Sequence, residues 1–334
     1  MEYHILGKSG VEVSPLCLGC LNIGAQGWRE WVLDKKTAES IIKKAIDLGI
    51  NFFDTAGSYS NGESEVFLGN CLKKFGNLNE IVISTKVFVP NREGPNMGGL
   101  SRKHIQQACE ESLKRLGVDC IDLYNIHRLD PYTSLEETVR ALENLIQQGK
   151  IRYVGASSMY AWQFMKALDI QKALGASRFI AMQNHYNLIY REEEREMIPL
   201  CEDQQIAVNP WSPLARGLLA HHFSDDKFSK RAQYDQSRTT MYSHSSDKSI
   251  IDAVSIVAES KGCSMAQVAL AWLHAKPYVC SPVVGVSSTE QLVDAVASLS
   301  FNLDYDEINR LEAAYEPHAV SGLPVTPKRF PFSC

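Results

Sequence analysis

The stretch INFFDTAGSYSNGESEVFLG, residues 50–69, joins a short apolar run, an abrupt break at Asp54, and the beginning of a helical pattern. Asp54, Thr55, Ala56, Gly57, Ser58 and Tyr59 all pass before a helix can start. A turn requires neither a carboxylate at a strand end nor a tyrosine five residues later, so the pair is either accidental or half of a site. The unit itself, strand then helix, recurs along the chain. Strand candidates are 16–20, 51–55, 81–86, 121–127, 152–157, 179–184, 206–211 and 281–286, short and rich in Val and Ile. Several lack alternation, as expected of strands buried on both faces of a parallel sheet.

Amphipathic helices fit between them at 35–48, 63–75, 101–117, 134–150, 161–174, 192–204, 264–276 and 289–299. In 101–117, Ser101 can cap, Ile105, Ala108, Ser112, Leu113 and Leu116 form the inner stripe, and Gly117 stops the helix. In 134–150, Ser134 and Glu137 are spaced as a capping box, with Val139, Leu142, Leu145 and Ile146 facing inward. Eight such units imply a closed (β/α)8 barrel, an α/β fold. A doubly wound sheet is the rival, but the G-x-G-x-x-G turn that would support it is missing. The 334 residues therefore read as a single barrel domain, 1–334. Three segments fall outside the repeat: a hairpin over 2–15 expected to plug the barrel bottom, a polar lid loop over 217–247 followed by an extra helix near 248–261, and a proline-containing tail, 317–334.

Composition narrows the function classes. With 45% hydrophobic and 22% charged residues, a net charge of −5 and a pI near 6.0, the chain has no basic footprint for nucleic acid and no polybasic membrane anchor. No run approaches the ~20 apolar residues of a membrane span, and no signal-peptide pattern is read at the start. Nine scattered cysteines, an odd number, argue against a disulfide framework and for the cytoplasm. Cys17 and Cys20 sit in a strand-like segment without a second pair, and His221 with His222 lack a third ligand at zinc-like spacing, so no metal site is expected.

Active sites of such barrels gather at the C-terminal strand ends. Those ends are Asp54, Lys86, His127, Ser157, Gln183 with Asn184, Trp211 with Ser212, and Gly285. A polar residue after any one strand is merely where the chain meets water; three ionisable ones on neighbouring ends, together with Tyr59, point to chemistry.

At these same positions the motifs DTAGSY, ISTK, YNIH, GASS, MQNHYN, NPWSPLARG and VVGVSSTEQL occur in one order, and the sequence resembles the aldo-keto reductases from about residue 2 to residue 322. The branch it resembles contains bacterial reductases and fungal aryl-alcohol dehydrogenases with a WSPLARG segment. The resemblance implies a catalytic tetrad of Asp54, Tyr59, Lys86 and His127. Reduction of a carbonyl leaves an alkoxide that needs a proton, and a free tyrosine with a pKa near 10 is a poor donor at neutral pH. Lys86 beside the phenol is expected to lower that pKa by ~1–3 units, with Asp54 holding Lys86 charged and His127 directing the substrate oxygen.

No side chain supplies hydride, so a nicotinamide cofactor is implied. The resemblance assigns Gly19, Cys20 and Leu21 to its ribose, Ser157, Ser158 and Gln183 to the carboxamide, and Trp211 to stacking on the ring. It assigns Ser212, Pro213, Leu214, Arg216 and Gly217 to the segment around the pyrophosphate, and Gly285, Val286, Ser287, Ser288 and Gln291 to the adenosine phosphate. The last loop departs from the pattern: Ser288 stands where a cation usually pairs with the 2′-phosphate of NADP, Asp294 adds a negative charge, and Ala295 replaces an asparagine. NADPH is preferred, with NADH as the alternative. Trp28 and Trp31, in the loop 22–31, are expected over the mouth opposite 128–133, forming aromatic walls for a small-molecule aldehyde or ketone. Tyr59 and His127 would contact that substrate. Three other readings stay open: a lyase using Lys86 as a Schiff base, a cofactor-binding regulatory subunit like those of potassium channels, and an NAD-linked alcohol dehydrogenase. The substrate's identity and the oligomeric state are not set by the sequence.

Overall fold

The computed structural model describes residues 1–223 and 230–322. The chain opens with β1 (His4–Ile5) and β2 (Glu12–Val13), an antiparallel hairpin. Eight parallel strands follow: β3 (Cys17–Gly19), β4 (Phe52–Asp54), β5 (Val82–Val87), β6 (Ile121–Ile126), β7 (Ile151–Ser157), β8 (Phe179–Gln183), β9 (Ala207–Val208) and β10 (Val283–Val284). Their spatial order is β10-β3-β4-β5-β6-β7-β8-β9, the sequence order of a barrel with its last strand beside its first. The ring closes between β9 and β10: the Cys280 N–H donates to the Val208 carbonyl and the Val283 N–H to the Pro210 carbonyl, both at 2.8 Å. The protein is an α/β barrel, as the eightfold repeat implies.

Every expected strand is present: four are trimmed by one or two residues, β5 and β7 are displaced or extended by one, and β9 and β10 lose four each. In β9 regular register stops at Val208, and Trp211 contributes isolated bridges. Helices Glu63–Phe75 and Ala161–Leu174 match their expected bounds. The expected helix 192–204 is broken into a 3-10 turn, Glu192–Glu194, and a helix, Met197–Gln204. Ser101 accepts from the His104 N–H, and Gly117 closes that helix in the left-handed conformation at φ 64°. Ser134 likewise caps through the Glu137 N–H, but no reciprocal box forms: the Glu137 carboxylate accepts instead from the Arg102 N–H at 3.0 Å on the neighbouring helix. A tertiary donor has displaced the local one.

The hairpin seals the N-terminal end of the barrel. Leu6 and Val13 are buried against Cys17, Phe52, Val82, Leu123, Ala181 and Ala207, residues near the starts of six strands. Burying two such side chains contributes roughly 1.5–3 kcal/mol each. Asn51 ties hairpin to barrel, its Oδ1 accepting from Ser14 N at 2.7 Å while its Nδ2 donates to Glu12 O. The opposite end is left open, which is where the strand-end side chains gather.

Within the expected loop 217–247, residues 224–229 lie outside the described residues; the remainder carries short helices Lys230–Tyr234 and Ser237–Met241. The extra helix spans Asp247–Lys261, and a further one, Tyr305–Glu312, was not read from the sequence. Of the tail, residues 323–334 lie outside the described residues. No helix is long and apolar enough to cross a membrane among the described residues.

Candidate active site

The site begins at the ends of β4, β5 and β6. Asp54 pairs with Ser84 across β4 and β5, and Lys86 with Asn125 across β5 and β6, so all four side chains meet at the open end. Lys86 Nζ is completely buried, bonded to Asp54 Oδ2, and donates to the Thr55 carbonyl at 2.8 Å. The other Asp54 oxygen accepts from Ser84 Oγ at 2.8 Å and from Gln183 Nε2 at 3.0 Å. Asn125 Nδ2 in turn donates to Ser84 Oγ at 2.8 Å. A buried ion pair is stable only when its leftover lone pairs and protons are used, and here they are.

Tyr59 reaches this pair because the chain doubles back after β4. It opens a 3-10 turn, Tyr59–Gly62, in which Ser60 (φ 48°) and Asn61 (φ 55°) are both left-handed. Each such non-glycine residue costs about 1–2 kcal/mol, a strain characteristic of functional turns. The result is a Lys86 Nζ to Tyr59 Oη contact of 3.3 Å, with the His127 ring edge-on to the phenol at 6.0 Å between centroids.

Electrostatics follow from this packing. Burial alone would pull the Lys86 ammonium down, but Asp54 and the Tyr59 phenol together hold its pKa above the ordinary value. Burial pushes the Tyr59 phenol up, and Lys86 offsets only part of that, so the net shift is upward from 10.0 rather than downward as expected. His127 is driven well below 6.5 by burial, reinforced by Lys86 and Arg128, and is a neutral imidazole at pH 7.

A cleft of about 700 Å³ opens above these groups. Asp54, Tyr59 and His127 line it, as do Gly19, Cys20, Leu21, Ser157, Gln183, Trp211, Ser212, Pro213, Leu214, Arg216, Gly217, Gly285, Val286, Ser287 and Gln291. Four expected residues do not. Lys86 is buried behind the lining, with its Nζ 3.3 Å from the hydroxyl of Tyr59, which does line the cleft. Ser158, left-handed at φ 45°, accepts from Trp211 Nε1 at 2.9 Å and so fixes the indole from behind. Ser288 caps the helix Thr289–Ala297 by accepting from Gln291 N. Trp28 packs edge-on against Trp31, with 6.1 Å between the ring centroids, and of the two only Trp31 lines the cleft.

Trp211 is held flat against His185, with ring centroids 4.3 Å apart, and His185 stacks on Tyr190 at 4.0 Å. The cleft also contains residues that strand-end reading missed. Arg231, from the helix Lys230–Tyr234, lies over Trp31 at 4.9 Å and shares Asp235 with Arg216. Lys230, Asp34 and Ser264 line it as well. Asp294, whose negative charge the sequence flagged, also lines it and accepts from Ser264 Oγ at 2.6 Å. Arg128, the first residue of the loop 128–133 expected at the mouth, also lines the cleft, although its own role was not assigned. Among the described residues no group of three or more His, Cys, Asp or Glu is arranged to hold a metal ion.

The aldo/keto reductase family model matches residues 15–316. The versiconal hemiacetal acetate reductase of Aspergillus parasiticus is 42% identical, over 96% of this chain and 98% of its own. A Schizosaccharomyces pombe protein that carries the name of an aryl-alcohol dehydrogenase is 41% identical over 96% and 97%, and an aldo-keto reductase of Metarhizium robertsii 40% over 96% and 93%. Coverage of this extent, with the barrel and its strand-end cluster, leaves one conclusion: the chain belongs to the aldo/keto reductase family, and its chemistry is that of an oxidoreductase.

Proposed function

We propose that the protein reduces an aldehyde or ketone to the alcohol, using a reduced nicotinamide cofactor and Tyr59 as the proton donor. The observation that carries this reading is the Lys86–Tyr59 contact at 3.3 Å, beneath an open cleft and anchored by Asp54. Lys86 supplies a fixed positive charge beside the phenol, so the phenolate left after proton donation is stabilised where it forms. Neutral His127 can donate one hydrogen bond to the substrate oxygen without competing for its proton. Asp54 holds Lys86 charged and in place; its support from Ser84 and Gln183 keeps the geometry from relaxing.

The cleft's residues fit a dinucleotide. Arg216 Nε is buried without a hydrogen-bond partner, and Arg216 and Arg231 share a single carboxylate, leaving positive charge at the wall. A Cβ placed on Gly285 would meet nothing nearer than 3.7 Å, so backbone there is open to close approach. Arg216, Gly217 and Gly285 would hold the phosphates, Gln183 and Ser157 the carboxamide, and Trp211 the ring face. When bound, the cofactor supplies the hydride. NADPH is favoured over NADH because Arg231 Nη1 stands 4.0 Å from that Gly285 position and Lys230 lines the same cleft, cations that compensate for Ser288.

Turnover of an aryl aldehyde by the purified protein with NADPH, and separately with NADH, tests the reading, alongside tryptophan quenching by each cofactor. Absence of both turnover and binding would overturn it. The Schiff-base reading is disfavoured by a Lys86 kept charged against Asp54, and borohydride trapping should yield no adduct.

A further inference from the structure

Arg128 follows His127 directly and opens the loop after β6. Its Nη1 donates to the His127 carbonyl at 2.6 Å and to Ser157 Oγ at 3.3 Å, which fixes the guanidinium against the cleft wall. Its carbon lies 5.9 Å from the centre of the Trp211 ring. The side chain is thus held between His127 and Ser157 and beside the Trp211 indole.

Among the described residues its charge has no carboxylate counterpart. The other arginines of the interior are paired: Arg115 with Glu65, Arg191 with Glu194 and Glu312, Arg216 and Arg231 with Asp235. No carboxylate of the described residues faces Arg128; the one neighbour that favours its charge is the Tyr59 phenol, while burial opposes it. Among the described residues Nε and Nη2 have no hydrogen-bond partner, and neither is fully buried beside the cleft that Arg128 lines. A half-buried guanidinium with two donors unused beside a cavity suits a planar oxyanion, because two parallel charge-assisted hydrogen bonds match a carboxylate fork.

We infer that Arg128 is a specificity-determining residue of the carbonyl site, and that the substrate it selects is an aldehyde or ketone carrying a carboxylate; this rests on the reductase reading above. The phosphate-bearing end of a dinucleotide is served by Arg216 and Arg231, so the Arg128 charge is left for the substrate. A neutral substrate would cover the guanidinium and leave it unpaired, which is how a polar pocket rejects the analogue lacking its partner group.

The test compares benzaldehyde with its 2-, 3- and 4-carboxylated derivatives as substrates of the full-length protein, wild type, Arg128→Met and Arg128→Lys. At least one carboxylated isomer is expected to exceed benzaldehyde in kcat/KM by about tenfold or more in the wild type. Arg128→Met should collapse that ratio by about 10- to 100-fold, through KM, and Arg128→Lys should restore part of it as a point charge. Calorimetry of the corresponding carboxybenzyl alcohols against benzyl alcohol reads the same preference without turnover. Cofactor affinity, followed by tryptophan quenching, is expected to change less than about threefold in Arg128→Met. A ratio near one for every isomer in the wild type overturns the proposal, as does a ratio that Arg128→Met leaves unchanged while cofactor affinity falls. Should no aldehyde turn over with either cofactor, the reductase reading fails and calorimetry alone decides the Arg128 assignment. Arg128→Lys serves if the methionine variant does not fold.

Discussion

Tyr59 Oη lies 3.3 Å from Lys86 Nζ, yet the phenol is harder, not easier, to ionise than free tyrosine. The two facts are compatible because burial and Coulomb attraction act on the same group with opposite sign, and burial is the larger. Tyr59 is therefore protonated at neutral pH, beside the charge that would stabilise its conjugate base in the proposed donor role.

Tyr59→Phe is expected to lower kcat for carbonyl reduction by about 10²–10⁴-fold while leaving cofactor affinity nearly intact, since the lost hydroxyl acts on the substrate oxygen. Steady-state rates and tryptophan quenching on the same preparation check it. Retention of most activity would remove Tyr59 from the proton-donor role.

The rate of reduction should show no inflection from His127 between about pH 6 and pH 8, because its pKa lies well below 6.5 and the ring stays neutral throughout. Loss of the Tyr59 proton should appear only above pH 10.0 in the cofactor-free protein. A pH profile of kcat/KM with an acid limb near 6.5 that disappears in His127→Asn would contradict this.

Asp54→Asn removes the counter-charge of a completely buried ammonium. Equilibrium unfolding in urea at pH 7 should show a loss of about 3–5 kcal/mol. Without Asp54, burial dominates and the folded-state pKa of Lys86 falls below its unfolded value. The unfolded chain then binds more protons in that window, so the variant's stability should rise toward alkaline pH. A flat pH dependence would mean that Lys86 keeps its charge by other means.

Gly155 explains a constraint one shell out. A Cβ there would stand 2.0 Å from Asn125 Oδ1, and Asn125 is the residue that donates to Ser84, which donates to Asp54. Gly155→Ala should displace Asn125, cost about 1–3 kcal/mol of stability by overpacking, and reduce kcat although residue 155 touches no substrate. Combining it with Asn125→Ala should recover stability without recovering the rate.

Glu193 is buried beside Asn184, and burial raises its pKa to about 7. A carboxyl whose folded pKa exceeds its unfolded 4.5 contributes stability at low pH that is lost as pH rises toward 7. Glu193→Gln should therefore be more stable than wild type by about 3 kcal/mol at pH 8, with the gap closing below about pH 5. Thermal unfolding at the two pH values measures it. His274, with a pKa lowered to about 4 by burial, has the opposite slope between about 4 and 6.5, so the variant should expose a stability that climbs with pH through that range.

The strand–helix rhythm, the caps at Ser101 and Ser134, and the stop at Gly117 are properties of neighbours in sequence, and they were legible because side-chain period and capping chemistry act over a few residues. Strand ends inherit that legibility: once eight parallel strands close a ring, Asp54, Lys86 and His127 must share one end, whatever the loops do. Where two long-range partners compete, the sequence alone does not decide. Glu137 satisfied Arg102 rather than its own cap. The net direction of the Tyr59 pKa depended on how much water the fold removed, and the roles of Arg128 and Arg231 on which carboxylates came within reach. Desolvation and charge pairing are sums over three-dimensional neighbours, so tertiary structure settles them and local pattern does not.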